Sequence, residues 1–223
     1  MRGPGKAGWR IPLTGLLAEG ECVRVGWPNE AEFDTITTLR NRDDVRMRFL
    51  DSSPLDPVRN REWLRNGMDR PYEAVLAIRL KRGDVFVGVI GWSHGNPDEG
   101  SLELGRVMVD ARALAAHRGS FRAGYPGVAA DAGMAVRDFA FETLRLTVIR
   151  MTVIETNRLS LRAAVSGGGH IVGTRLHRRP DGSAVPMIDL ECRREDWLRL
   201  SAGGSAASRR VAAAADSASG PAS

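Results

Sequence analysis

The chain has 223 residues, enough for one domain with a full core and short for two. Its composition is that of a globular protein, 43% hydrophobic and 26% charged, and no apolar run approaches the ~18 residues a membrane span needs, which excludes membrane-embedded and low-complexity classes. The formal net charge is +5 and arginine dominates it, so the expectation is either a solvated basic surface or an anionic partner such as a nucleotide or RNA.

Residues 1–20 carry glycines and prolines and read as a flexible lead-in; Met1 to Lys6 is basic but lacks the apolar core of a signal peptide. Glu21 to Trp27 alternates apolar and polar residues and reads as a strand. Asn29 to Arg42 starts acidic and ends basic, as a helix should. Leu55 to Gly67 is a second helix, with Trp63 and Leu64 facing inward. Ala74 to Leu80 and Val85 to Trp92 form a hairpin around Lys81-Arg82-Gly83-Asp84. Ile171 to His177 and Val185 to Cys192 form another, turning on Arg179-Pro180-Asp181-Gly182, and Arg194 to Leu200 closes the domain as a helical turn. Residues 201–223 are nearly all Ala, Ser and Gly and cannot offset their ordering entropy, so a disordered tail is expected after a domain over 21–200. Cys22 and Cys192 lack metal spacing and read as reduced thiols, which points to the cytoplasm.

Between the hairpins lies the segment with chemical content. A strand, Leu102 to Val109, leads to a glycine loop, Gly124-Tyr125-Pro126-Gly127-Val128-Ala129. An amphipathic helix follows over about 131–143, then a strand, Thr147 to Ile154, then Asn157-Arg158-Leu159-Ser160. A glycine loop opening a helix after a strand is an anion seat, because backbone N–H groups and the helix dipole both point at it. This order predicts a cofactor with a pyrophosphate, and hence group transfer. The whole reads as α+β, with antiparallel strands early and a strand–helix–strand crossover late.

These residues resemble the GCN5-related N-acetyltransferase (GNAT) superfamily, in its branch acting on ribosomal-protein N-termini, antibiotics and amino sugars. Leu39-Arg40-Asn41-Arg42-Asp43-Asp44-Val45-Arg46 looks like the family's first helix and following loop, and Val87-Gly88-Val89-Ile90-Gly91 like its third strand. Glu103 to Val109 looks like the fourth strand. Asp138-Phe139-Ala140-Phe141-Glu142, with Leu144 and Leu146, looks like the end of the cofactor helix. Val153 to Ser160 looks like the fifth strand and its asparagine. The resemblance implies an α/β sandwich: a mixed, mostly antiparallel sheet with splayed fourth and fifth strands, flanked by helices. Two positions depart from the family. Gly124 stands where its phosphate loop usually has Gln or Arg, with Arg118 or Arg122 as replacements from a longer loop; Ala164 stands where a tyrosine often serves as general acid.

The resemblance implies an enzyme moving an acyl group, acetyl above all, from acyl-CoA to a primary amine of a small molecule, in antibiotic or amino-sugar metabolism. It requires no metal and no membrane, and fits a monomer or a homodimer. The pyrophosphate would sit on Gly124, Gly127, Val128 and Ala129, with Arg122 nearby. The pantetheine arm would run between the splayed strands along Val107, Met108 and Val109 and meet Asn157 and Ser160, although Asn157 is also a natural helix N-cap. Amine acylation needs a base. Glu103 is one candidate, with bracing of Arg106 as its structural alternative, and His94 is a second. Trp63, Tyr72 and Trp92 are candidates for the acceptor pocket; Arg40 and Arg46 could read an anionic acceptor, with solvated charges as the plainer expectation. Two other readings stay open: a transferase of the same fold taking its acyl group from aminoacyl-tRNA, and a binding module without catalysis.

Overall fold

The computed structural model describes residues 9, 11, 15–70, 72–179 and 182–203. Of the tail expected to be disordered over 201–223, residues 201–203 continue the last helix, while 204–223, like Pro180-Asp181 of the turn, lie outside the described residues. Among the described residues, eight strands form one sheet: β1 (Leu16–Glu19), β2 (Val23–Gly26), β3 (Ala74–Leu80), β4 (Phe86–Asn96), β5 (Ser101–Val109), β6 (Val148–Ile154), β7 (His170–Arg178) and β8 (Ala184–Arg193). Their order is β1-β2-β3-β4-β5-β6-β8-β7. All neighbours are antiparallel except β5 and β6, which run parallel. The expected mixed, mostly antiparallel sheet is therefore present. It begins earlier than expected, because β1 lies inside the segment read as a flexible lead-in and buries Leu17 and Ala18. That extra strand makes the family's fourth and fifth strands β5 and β6 here.

Seven helices accompany the sheet among the described residues: α1 (Glu30–Asn41), α2 (Asp43–Arg46), α3 (Pro57–Arg65), α4 (Ala111–Ala115), α5 (Val128–Glu142), α6 (Arg158–Ser166) and α7 (Arg194–Gly203). Local chemistry sets their starts. Asn29 and Glu32 close a reciprocal capping box on α1, at 3.1 and 2.8 Å. Asp56 accepts from the Arg59 N–H at 2.8 Å, with Pro57 at the first helical position of α3. α7 is held by Trp197, whose Nε1–H donates to Asp138 Oδ1 at 2.7 Å in the core.

The sheet has two covered faces. On one, α5 packs Val136, Phe139 and Phe141 into a core with Val25, Ile78, Ile90, Trp92, Leu102, Leu104, Ile149 and Leu190. On the other, Phe33, Ile36 and Leu39 of α1 and Leu64 of α3 cover Val89 and Met108. The alternation of β5 decides where its polar residues go. Leu102 and Leu104 belong to the α5 face, so Glu103 between them takes the α1–α3 face. Gly105 lies opposite Gly91 and Met108 opposite Val89, so β5 carries one residue more than β4 across this stretch. The resulting bulge centres on Arg106, whose φ is +54°, and it moves Met108 onto the face of Glu103.

Pairing between β5 and β6 covers only Ser101 to Glu103 against Val148 to Arg150. Beyond it β5 stays on β4 and β6 stays on β8. The facing edges, residues 104–109 and 151–154, diverge into the cleft expected of splayed strands.

Candidate active site

At the open end of the cleft stands the N-terminus of α5. Its N-cap is Gly127, and no side chain caps it. Gly127 has φ +97° and ψ 154°, a region closed to residues with a Cβ, and no atom lies within 4 Å of where a Cβ would stand. The first-turn amides of a helix so begun have no intrahelical acceptor, and they face open space. This cradle fits the pyrophosphate of a nucleotide-bearing thioester. Gly124, at φ +75°, makes the preceding turn.

The loop before α5 is longer than the family's, and α4 and a 3₁₀ turn at Arg118–Ser120 take up the extra length. Three side chains brace it. Tyr125 stacks on Phe121 with ring centroids 4.8 Å apart and donates its hydroxyl to Asp131 Oδ2 at 2.9 Å. Burial first, and Asp131 second, push the Tyr125 phenol far up, so it stays a donor. Asp131, 2% exposed in the first turn of α5, also accepts from the backbone N–H groups of Glu21 and Cys22 at 2.7 and 2.8 Å. Arg122 forks onto Glu21 at 2.5 and 2.8 Å. The brace expected from a Gln or Arg at Gly124 is thus supplied by Arg122 and Asp131 through the β1–β2 turn. Sequence reasoning missed Asp131, which reads as an ordinary first-turn acid.

Along the cleft, the backbone of Val107, Met108 and Val109 lies on the open edge of β5. Asn157 caps α6, its Oδ1 accepting from the Ser160 N–H at 3.3 Å, so the N-cap role is real. Its Nδ2 makes no hydrogen bond among the described residues. Ala164 is 6% exposed and belongs to the α5-side core, so no acid stands at that position.

The two candidate bases meet. His94 Nδ1 lies 3.2 Å from Glu103 Oε2, with the imidazole 80% exposed and the carboxylate 37% exposed. A bulge at the end of β4 makes this contact: Ser93 pairs with Glu103 and Asn96 with Ser101, while His94 takes φ +51°. The alternative role of Glu103 as a brace for Arg106 does not hold, because Arg106 pairs with Glu73 instead.

Of the aromatic candidates, Trp63 lies under two guanidiniums on the α1–α3 face, Arg70 at 4.0 Å and Arg106 at 5.2 Å from the ring centroid. Tyr72 is 42% exposed and packs edge-on against Trp9 at 5.7 Å, and its carbonyl accepts from the Gly95 N–H beside His94. Trp92 does not join them. It is 1% exposed in the opposite core, because it shares a sheet face with Ile90 rather than with Glu103. Arg40 and Arg46 are not solvated charges either. Arg40 is 8% exposed, packs over Phe49 and donates to the Asp51 carbonyl; Arg46 donates to the Ser52 carbonyl at 2.9 Å. Both pin the loop after α2. Among the described residues no three potential metal ligands cluster, and no helix is long and apolar enough to cross a membrane.

Comparison with known proteins agrees with this geometry. A family model described as an acetyltransferase (GNAT) domain matches residues 25–170. No curated protein matches the chain. Among solved structures, a candidate acetyltransferase from T. thermophilus is similar at 26% identity and TM-score 0.64, covering 87% of this chain and 96% of that one. A GCN5-related N-acetyltransferase from Brucella melitensis shares the fold at 18% identity and TM-score 0.65, over 85% of this chain and 83% of that one. So does the spermidine N-acetyltransferase from Vibrio cholerae in complex with CoA and spermine, at 12% identity and TM-score 0.67, over 79% and 98%.

Proposed function

Because the chain belongs to the GNAT acetyltransferase family, we propose that it transfers an acetyl group from acetyl-CoA to a primary amine of a small molecule, with Glu103 as general base. The observation that carries this reading is the cleft between β5 and β6, which has a glycine-capped helix at its open end and Glu103 on its closed seam.

The roles follow from position. Backbone N–H groups of Val128 and Ala129 hold the pyrophosphate, with Gly127 allowing its approach and Arg122 steadying the loop. The edges of β5 and β6 bond the amides of the pantetheine arm as an added strand would, and Asn157 Nδ2 donates at its side. That arm delivers the thioester to the point where the strands part, one residue beyond Glu103. The acceptor arrives on the α1–α3 face. Glu103 takes a proton from its ammonium, and His94 Nδ1 at 3.2 Å holds the carboxylate in place. The amine lone pair forms the C–N bond, the nitrogen gives up its second proton to solvent, the C–S bond breaks, and the thiolate leaves with the bonding pair. With Ala164 in the usual acid position, that thiolate collects its proton from solvent.

The test is direct. Acetyl-CoA at about 100 times its Kd should stabilise the protein by about 2.7 kcal/mol, or roughly 5–10 °C in Tm. Thiol release should then appear on adding a primary amine. Unaltered melting at millimolar acetyl-CoA refutes the reading.

A further inference from the structure

Beside Glu103, on the same face of the sheet, sits a cluster that the acetyl-transfer chemistry does not use. Trp63 of α3 lies within cation–π distance of both Arg70 and Arg106. Glu73 is the one carboxylate they share, paired with Arg106 and 4.0 Å from Arg70. Arg70 Nη2 donates to the Trp63 carbonyl at 2.6 Å, while Arg106 Nη1 and Arg70 Nε are buried without a hydrogen-bond partner. Both guanidiniums keep about a third of their side-chain surface in water, at 33% and 30%. Two arginines of α3 are paired elsewhere, Arg61 with Asp34 and Arg65 with Glu30. Among the described residues these two cations share a single carboxylate, which leaves the cluster positive charge to spare on its exposed side.

The backbone adds a second, independent observation. Arg106 occupies φ +54° at the β5 bulge. The left-handed region is strained for a residue with a Cβ, and bulges of this kind re-aim side chains beside active sites. Here the bulge swings the guanidinium over Trp63, on the acceptor side. Arg106 stands three positions after Glu103, about 10 Å along the strand.

We propose that the acceptor is an amine that also carries a carboxylate, its amino group meeting Glu103 and its carboxylate held by Arg106 and Arg70 against Trp63. This deepens the functional reading above and rests on it. Planar guanidiniums bind a carboxylate through parallel N–H bonds, and the ring beneath them keeps both forks in plane. The same charge repels a second ammonium, so the site selects against diamines.

Three probes of one chain length separate the possibilities: 6-aminohexanoate, 6-aminohexanamide and 1,6-diaminohexane. Each is assayed by thiol release from acetyl-CoA and by equilibrium binding in the presence of CoA. The carboxylate should be preferred over both others by at least about tenfold in kcat/KM, the worth of one charge-assisted hydrogen bond. Arg106→Asn, chosen because asparagine tolerates a positive φ, should erase that preference and leave stabilisation by acetyl-CoA intact. Arg70→Gln, away from the bulge, should weaken it in the same direction. No difference among the probes in turnover or binding, a preference for the diamine, or a preference untouched by both substitutions overturns the proposal. Loss of acetyl-CoA stabilisation in the unaltered protein would instead overturn the functional reading beneath it.

Discussion

Gly127→Val separates the cofactor seat from the fold that carries it. Nothing lies within 4 Å of the added Cβ, so the substitution creates no clash in the protein. Its structural cost is the backbone alone, since φ +97° with ψ 154° is glycine territory. Such strain is worth about 1–3 kcal/mol, which at roughly 2–4 °C per kcal/mol lowers Tm by about 2–12 °C. The chain should therefore fold. The pyrophosphate loses more. The new isopropyl group fills the space through which the amides of Val128 and Ala129 are reached. Two charge-assisted hydrogen bonds at about 1.5–3 kcal/mol each correspond to roughly 10²–10⁴-fold in Kd. Calorimetric titration with CoA reads this loss. Acetylpantetheine, which has no pyrophosphate, serves as the second donor, and its kcat/KM should hardly change. A Gly127→Val protein that binds CoA like the parent, or one that loses both donors equally, refutes the seat.

Glu103→Gln should lower turnover by about 10²–10⁴-fold, spare CoA affinity and remove the acidic limb of the pH–rate profile. His94→Gln should reduce turnover less and keep that limb; a folded Glu103→Gln protein with the limb intact would transfer the role of base to His94. Asp131→Ala strands two backbone N–H groups and the Tyr125 hydroxyl, so unfolding in urea should show a loss of about 3 kcal/mol. The KM for acetyl-CoA should rise with it, because the same carboxylate ties the glycine loop to the β1–β2 turn. An unchanged KM would mean that the loop keeps its shape without this anchor.

Local rules made most elements legible. The acidic start and basic end of α1, the hairpin of β3 and β4 and the glycine loop before α5 each act within a few residues, and each appears where its residues place it. The short pieces escaped. β1 has four residues beside glycines and prolines, and α2 and α4 are single turns with no periodicity to read. The site was legible as components and not as an arrangement. Glu103 and His94 stood out separately, but their contact depends on the positive φ at His94, which nothing in Ser93-His94-Gly95 announces. Trp92 was misplaced because the chain does not say which sheet face the acceptor uses: two positions after Ile90, it follows that residue onto the α5 face. The Trp63–Arg70–Arg106–Glu73 cluster joins α3, the segment before β3 and the middle of β5, so no spacing in the chain could have revealed it.

The seam between β5 and β6 is three residue pairs long. Mechanically the sheet is two slabs, β1 to β5 and β6 with its two hairpin partners, fastened along one short row and straddled by helices. A thioester arm bonded to both edges would convert two slabs into one continuous sheet. The substrate would then be a structural member while it stays, and release of the spent thiol would amount to withdrawing a strand. Rigidity in such a protein rises and falls with each turnover, and amide exchange along residues 104–109 and 151–154 becomes a gauge of how long the donor remains seated.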